Sequence, residues 1–402
     1  MTRPRPPALL ALLTALLLAL AACSSDPPGP QDTAKGRDKG CDAPFSSDRD
    51  YFPDKSTVRH AKNFTIRYEK SYQVLTVKEP YPKGRPESYV LVRCGAPSPE
   101  LTGDLAGAQR ITVPVKSLYS GSTTQLSLLT ASGSLGALTG VASTKYVVSA
   151  DVRKRIAAGK VAEYAPNGTV NTEKVIAARP DAVMTAGMDD PQFAKLRRAG
   201  IGVVANAEWL EPTPLGRAEW VKAVAALTGA EKRAGEVFRE VEQDYRRVAA
   251  TAAKAAPPTP VLLGTLLQGS WTLAAGGSYF GQLVTTAGGS YPWQGDRSTG
   301  SLRLSFETVY AKAGSARTWL VDQTWKSTAD AVRADPRHAR LTAVSSGEVW
   351  SNTKSLGPDG GNDFYESGVL RPDLVLADLV AVLHPDLAPG HRFTYYERVP
   401  RT

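Results

Sequence analysis

The chain has 402 residues, too long for one ordinary domain and sufficient for two lobes. Hydrophobic residues make up 42% and charged residues 22%, which excludes wholesale disorder, and Gly 35 with Pro 29 indicates a turn-rich globular chain rather than a fibrous one. Lys plus Arg exceeds Asp plus Glu by nine. That surplus is spread along the chain, with no basic stripe interleaved with aromatics, so no nucleic-acid partner is expected.

The first predicted element is an export signal at residues 1–22. Arg3 and Arg5 precede an apolar run from Ala8 to Ala22, interrupted only by Thr14. At 15 residues the run is short for a spanning helix, which needs about 20, and it ends in small residues as a cleaved secretory signal does. Leu20-Ala21-Ala22-Cys23 looks like a bacterial lipobox, whose cysteine is diacylated before cleavage. Cys23 would then carry a lipid anchor, and two acyl chains at about 0.8 kcal/mol per buried methylene hold a protein stably at a membrane. Residues 23–40 follow as a polar, Pro- and Gly-bearing flexible tether. The expected location is extracytoplasmic, anchored to the cell membrane. Outside the cell the two remaining thiols, Cys41 and Cys94, are expected to pair. They would close a loop of about 50 residues, a constraint of roughly 4 kcal/mol in the chain-entropy view.

Residues 41–108 read as a β-rich extension. Asn63–Tyr68 and Gln73–Val77 alternate apolar with polar about a short turn, which predicts a hairpin, and Ser88–Arg93 adds a strand ending at Cys94. From 109 to 216 the texture changes to strands alternating with helices, the mark of a parallel sheet with crossover helices. Its strands are predicted at Arg110–Val115, Ala178–Met184 and Ile201–Ala205, and its helices after Ser122, after Asn171 and at Phe193–Gly200. Residues 217–256 are mostly helical, with Ala234, Val237, Phe238, Val241, Tyr245 and Val248 at three- and four-residue spacing. A second βα series occupies 257–402. Its strands are predicted at Val261–Leu267, Trp271–Ala275, Thr318–Asp322, Glu348–Ser351 and Phe393–Tyr396, with a helix at Pro372–Leu383. The fold class is therefore α/β, two halves joined by a long helical segment.

Three segments carry a family resemblance. Asn171-Thr172-Glu173 before a helix leads to Pro180-Asp181 and an apolar strand; Gly229-Ala230-Glu231 opens the long helix; and Leu304-Ser305-Phe306-Glu307 precedes Thr318-Trp319-Leu320-Val321. In this order they resemble the substrate-binding lipoproteins of ATP-binding-cassette (ABC) importers for iron–siderophore and cobalamin-type ligands, over about residues 105–400. Asn206 to Trp220 and Gly361 to Gly368 are similar to the iron-complex branch that carries an extra N-terminal strand region. The resemblance implies two Rossmann-like lobes, a rigid bridging helix and a small N-terminal β extension. It also implies a monomeric receptor that holds a ferric-siderophore-type complex in its cleft and delivers it to a permease dimer. Cobalamin or another corrinoid, heme, or a sensing role without a permease are the alternatives.

Glu173 and Glu307 are the docking candidates, since the family pairs one glutamate on each lobe with permease arginines. Both also sit just after natural helix caps, Asn171 and Ser305, where the helix dipole favours a carboxylate. Ligand is expected where strands end at the cleft. The candidates are Tyr119, Ser122, Thr123, Met188 and Trp209 in the first lobe, and Trp271, Tyr279, Trp293, Arg297, Trp325, Asn362 and Tyr365 in the second. Aromatic faces with a few polar groups suit a bulky chelate, and Arg297 offers a planar fork to an anionic one. His60, His338, His384 and His391 have no zinc spacing. No metal site and no cofactor are expected, and iron would arrive already chelated. With no Gly-x-Ser-x-Gly, no His-Glu-x-x-His and no thiol site, the chain is not expected to be an enzyme.

Overall fold

The computed structural model describes residue 41 and residues 44–401. The signal segment, Cys23 and the tether lie outside the described residues. Cys41 and Cys94 are both disulfide-bonded. Among the described residues no helix is long and apolar enough to cross a membrane.

The extension forms a four-stranded sheet in the order β1-β2-β3-β4, from β1 (Phe64–Tyr68), β2 (Tyr72–Val77), β3 (Glu87–Arg93) and β4 (Gln109–Val113). The predicted hairpin is antiparallel, with Phe64 opposite Val77 and Tyr68 opposite Gln73. One expectation changes here. The strand read as opening the first lobe is β4, and it pairs parallel to β3 instead, Ile111 opposite Leu91. Two buried carboxylates pin the extension to the lobe. Glu219 accepts the backbone N–H groups of His60 at 2.6 Å and Ala61 at 2.8 Å, and Glu211 accepts those of Lys62 at 2.7 Å and Asn63 at 2.9 Å.

The first lobe is built on β5 (Leu118–Ser120), β6 (Leu138–Val141), β7 (Ala162–Glu163), β8 (Ala182–Met184) and β9 (Gly202–Val204), all parallel, in the order β7-β6-β5-β8-β9. Its crossover helices are α1 (Thr124–Ala131), α2 (Ala150–Ala157), α3 (Thr172–Ala178) and α4 (Pro191–Arg198). Ser149, Asn171 and Asp190 cap the last three by accepting a first-turn N–H.

The helical stretch from 217 is three helices, α5 (Pro214–Ala218), α6 (Val221–Thr228) and α7 (Glu231–Ala252). The break before α7 is Gly229, whose φ of 71° is a left-handed cap that favours glycine. At 1.5 Å per residue the 22-residue α7 is about 33 Å long. Ala234, Val237, Phe238 and Val241 bury into the core of the first lobe, Ala252 belongs to that of the second, and Tyr245 packs against both.

In the second lobe the strands are β10 (Thr259–Leu263), β11 (Thr265–Leu267), β12 (Ser270–Ala274), β13 (Gly289–Ser290), β14 (Ser301–Leu304), β15 (Thr318–Val321), β16 (Val349–Ser351) and β17 (Glu397–Arg398). The main sheet runs β13-β10-β15-β16-β17, and β11-β12-β14 form a separate antiparallel sheet. Helices α8 (Tyr279–Thr286), α9 (Phe306–Ala313), α10 (Thr328–Ala334), α11 (Thr342–Ser346), α12 (Asp363–Glu366) and α13 (Pro372–Leu383) complete it. The single strand expected at Val261–Leu267 is broken at Gly264, whose φ is 81° and whose Cα faces the Thr272 carbonyl too closely for a side chain. Trp271–Ala275 likewise leaves the parallel sheet for the hairpin. The strand expected at Phe393–Tyr396 is not one. The backbone N–H groups of Thr394, Tyr395 and Tyr396 bond the buried Asp378 carboxylate rather than a neighbouring strand, and pairing begins at Glu397.

Candidate functional site

Parallel sheets leave their helix N-termini and loops at the carboxyl ends of the strands, and a crevice opens where the strand order reverses. Both lobes have this geometry. In the first, β6 and β8 flank β5, and in the second, β13 and β15 flank β10. Two cavities lie at those strand ends, one of about 460 Å³ on the second lobe and one of about 240 Å³ on the first.

The larger cavity is walled by Leu263 and Gly264 at the end of β10, by Leu320, Val321 and Asp322 at the end of β15, by Asn352 after β16 and by Tyr279 and Phe280 at the start of α8. Phe364, Tyr365 and Tyr396 close one side. Trp209 and Leu210 reach in from the first lobe. Trp209 is held there by a local fit. Its indole N–H donates to the Ala186 carbonyl at 3.1 Å, over Gly187, whose φ is 68° and where a Cβ would lie 2.7 Å from the indole nitrogen. The smaller cavity lies at the ends of β5 and β6 against the first turn of α1, between Ser120, Ser122, Thr123, Ser143 and Tyr146.

The Tyr365 hydroxyl donates to Asp322. Burial, reinforced by the Asp322 charge, raises that phenol well above its usual range. The lobes meet beside this pair. Arg217 of α5 is buried, pairs with Glu208 at 3.0 Å and lays its guanidinium 4.0 Å from the Tyr279 ring centre. Farther along, the buried Glu366 carboxylate accepts the N–H groups of Val148 at 2.7 Å and Ser149 at 2.8 Å.

Of the residues anticipated for ligand, Trp209, Tyr279 and Tyr365 meet at the larger cavity, and Ser122 and Thr123 line the smaller one. Met188 is 60% exposed, one residue beyond the glycine under Trp209. Others stand elsewhere. Tyr119 is buried against Tyr164, their ring centres 5.3 Å apart. Trp271 has no exposed surface; its N–H donates to the Leu263 carbonyl at 2.8 Å and its ring stacks on Trp319. Trp325 packs on Trp319 and His338, Trp293 lies beside Lys312, and Arg297 is exposed outside the wall. Asn362 is a helix cap, accepting the Phe364 N–H at 3.0 Å. Asp322, Asn352, Leu210, Ser143 and Tyr146 were not anticipated. The available signal was position alone, since Asp322 is the last residue of a predicted strand.

Glu173 and Glu307 are both exposed, in the first turns of α3 and α9. Asn171 accepts the Lys174 N–H at 2.9 Å and Ser305 that of Thr308 at 3.1 Å, so each cap stands two residues before its glutamate. Glu307 pairs with Arg337 at 3.3 Å while remaining 71% exposed. Among the described residues there is no group of three or more His, Cys, Asp or Glu side chains arranged to hold a metal.

The family described as periplasmic binding protein matches residues 117–356. Two relatives, both uncharacterized lipoproteins of Methanocaldococcus jannaschii, are 30% identical over 251 residues and 24% identical over 368. The first match covers 61% of this chain and 58% of that protein, less than two thirds of its length; the second covers 86% and 87%. Among solved structures, a periplasmic heme-binding protein from Pseudomonas aeruginosa matches with a TM-score of 0.53 at 20% identity, over 72% of this chain and 99% of that one. The triscatecholate siderophore-binding protein FeuA from Bacillus subtilis, complexed with ferri-bacillibactin, matches with a TM-score of 0.52 at 17% identity, over 71% and 98%. At such identity these structures share the fold.

Proposed function

The chain belongs to the periplasmic binding protein family, and from that premise we propose that it is a lipid-anchored extracytoplasmic receptor that captures a ferric-siderophore-type complex between its lobes and delivers it to an ABC permease. The observation that carries this reading is the cleft. Aromatic and aliphatic walls from both lobes converge on it at the carboxyl ends of two parallel sheets, with a few polar groups at fixed points. Such a site binds by shape and apolar contact and needs no acid–base pair. The anchor would be Cys23, as the lipobox-like sequence indicates, and the lipoprotein character of the two relatives supports it.

Glu173 and Glu307 are proposed as the permease contacts. They occupy comparable places in the two lobes, each on the helix leading into the strand that pairs with the lobe's first strand on the far side of the order reversal, α3 before β8 beside β5 and α9 before β15 beside β10. Two carboxylates on separate lobes present a spaced pair of anchor points for cationic side chains.

Tryptophan fluorescence of the full chain in detergent, titrated with ferric hydroxamates, ferric catecholates, ferric citrate, heme and cobalamin, tests the cargo. The expected result is sub-micromolar quenching by a ferric chelate and much weaker quenching by its iron-free form. Tight binding of heme or cobalamin alone would replace the cargo, and silence throughout would contradict the receptor reading.

A further inference from the structure

The floor of the larger cavity presents hydrogen-bond acceptors. Asn352 is 4% exposed and lines the cavity, and its Oδ1 has no hydrogen-bond partner among the described residues. The Tyr365 hydroxyl gives its one hydrogen to Asp322, so it has none to offer the Asn352 Oδ1 on the same wall. Asp322 has two carboxylate oxygens, of which Tyr365 engages one. A buried acceptor left open costs free energy unless a donor arrives.

Among the described residues that line the two cavities, Asp322 is the one formally charged side chain; the others are apolar, aromatic or uncharged polar, with no lysine, arginine or histidine. The arginines nearby are otherwise placed. Arg217 is committed to Glu208 and Tyr279. Arg303, opposite Thr272 in the β12–β14 pair, is exposed beyond the wall, where solvent ions screen it over about 8 Å. The starts of α1 and α8 turn partial positive ends toward the cavities, which attract acceptor oxygens, neutral or anionic, without supplying a full positive charge. At α8 one N–H is already met by Ser278, at 3.1 Å from Gly281.

Resting on the receptor reading, we propose that the cleft selects a chelate of zero or single positive charge that presents a hydrogen-bond donor, such as an ammonium or amide N–H, to Asp322 and Asn352, and discriminates against multiply anionic chelates. A triply negative tris-catecholate complex would bring its charge beside Asp322 with no lining cation to offset it.

The test uses the full chain in detergent and four probes: a linear ferric tris-hydroxamate with a free ammonium, the same compound N-acetylated, a neutral cyclic ferric tris-hydroxamate and a ferric tris-catecholate. The expected order places the ammonium compound about tenfold tighter than its acetylated form and the tris-catecholate weakest by about a hundredfold. Asp322→Asn is expected to bring the affinity ratio of the ammonium compound to its acetylated form down from about tenfold to about one, with the melting temperature checking the fold. A tris-catecholate that binds as tightly as the hydroxamates overturns the charge inference and leaves the receptor reading intact. So does an ammonium preference that is absent, or that survives in the Asp322→Asn protein. Silence with all four probes overturns the receptor reading for iron chelates, and this inference with it.

Discussion

At Asp378 a single side chain replaces a strand. Its carboxylate has no exposed surface, and it accepts the N–H groups of Thr394, Tyr395 and Tyr396 together with the His391 ring nitrogen at 2.7 Å. Asp378→Ala strands those donors in the core and is predicted to destabilise the chain by about 3–5 kcal/mol, read as a fall in the urea midpoint. An unchanged midpoint would show that water satisfies them. His338 behaves differently. It is 1% exposed, wedged among Trp271, Trp319 and Trp325, and burial holds its pKa below the ordinary 6.5. The unfolded chain therefore takes up a proton that the folded one resists. Stability is full above about pH 6.5 and falls as the pH drops from there toward the folded value, by up to about 1.4 kcal/mol per unit. His338→Phe is predicted to remove this component, so that the difference between the urea midpoints at pH 7.5 and 5 becomes smaller than in the parent. Equal differences would contradict it.

At the scale of elements, the alternation of strand and helix and the three-to-four spacing along α7 were legible because they are local patterns. The hairpin of β1 and β2, the capped start of α3, the glycine before α7 and the strand ending at Asp322 could all be read from neighbouring residues. What could not be read depends on distant partners. β4 looks like any strand before a helix, and only its pairing with β3 assigns it to the extension. Gly264 breaks a continuous apolar run because the Thr272 backbone lies against it. In the site, Trp209 and Tyr365 stood out as aromatics near strand ends or turns, but Trp271 shares those features and is sealed behind the wall by Leu263 and Trp319. Asn352 gave no local signal, since its open acceptor exists only once Tyr365 and Asp322 are beside it. Glu366 is a further contact of this kind, joining α12 to the start of α2. Glu366→Ala is predicted to speed amide exchange at Val148 and Ser149 about tenfold or more while leaving the β8 amides unchanged. Uniform acceleration would mean general destabilisation instead.

Across the whole molecule, two sheets that each reverse strand order beside their first strand, β5 and β10, are joined by a helix embedded in both cores. A continuous 22-residue helix resists bending more than a pair of loops does, so binding is predicted to change the lobe angle by only a few degrees. Small-angle scattering with and without chelate checks this, and large closure would contradict it. The outward glutamates belong to the same scale. Glu173→Arg with Glu307→Arg is expected to abolish uptake into cells while chelate affinity stays within about twofold, the signature of lost docking rather than lost binding. Uptake equal to that of the parent would remove the docking role.

Whether cargo is held between the lobes is read from hydrogen exchange of the full chain with and without its tightest chelate. Exchange is expected to slow on both rims together, at residues 120–123 and 143–146 of the first lobe and at 264–280 and 320–322 of the second. Protection confined to one lobe, or appearing instead in the polar groove between residues 54–59 and α7, would contradict it.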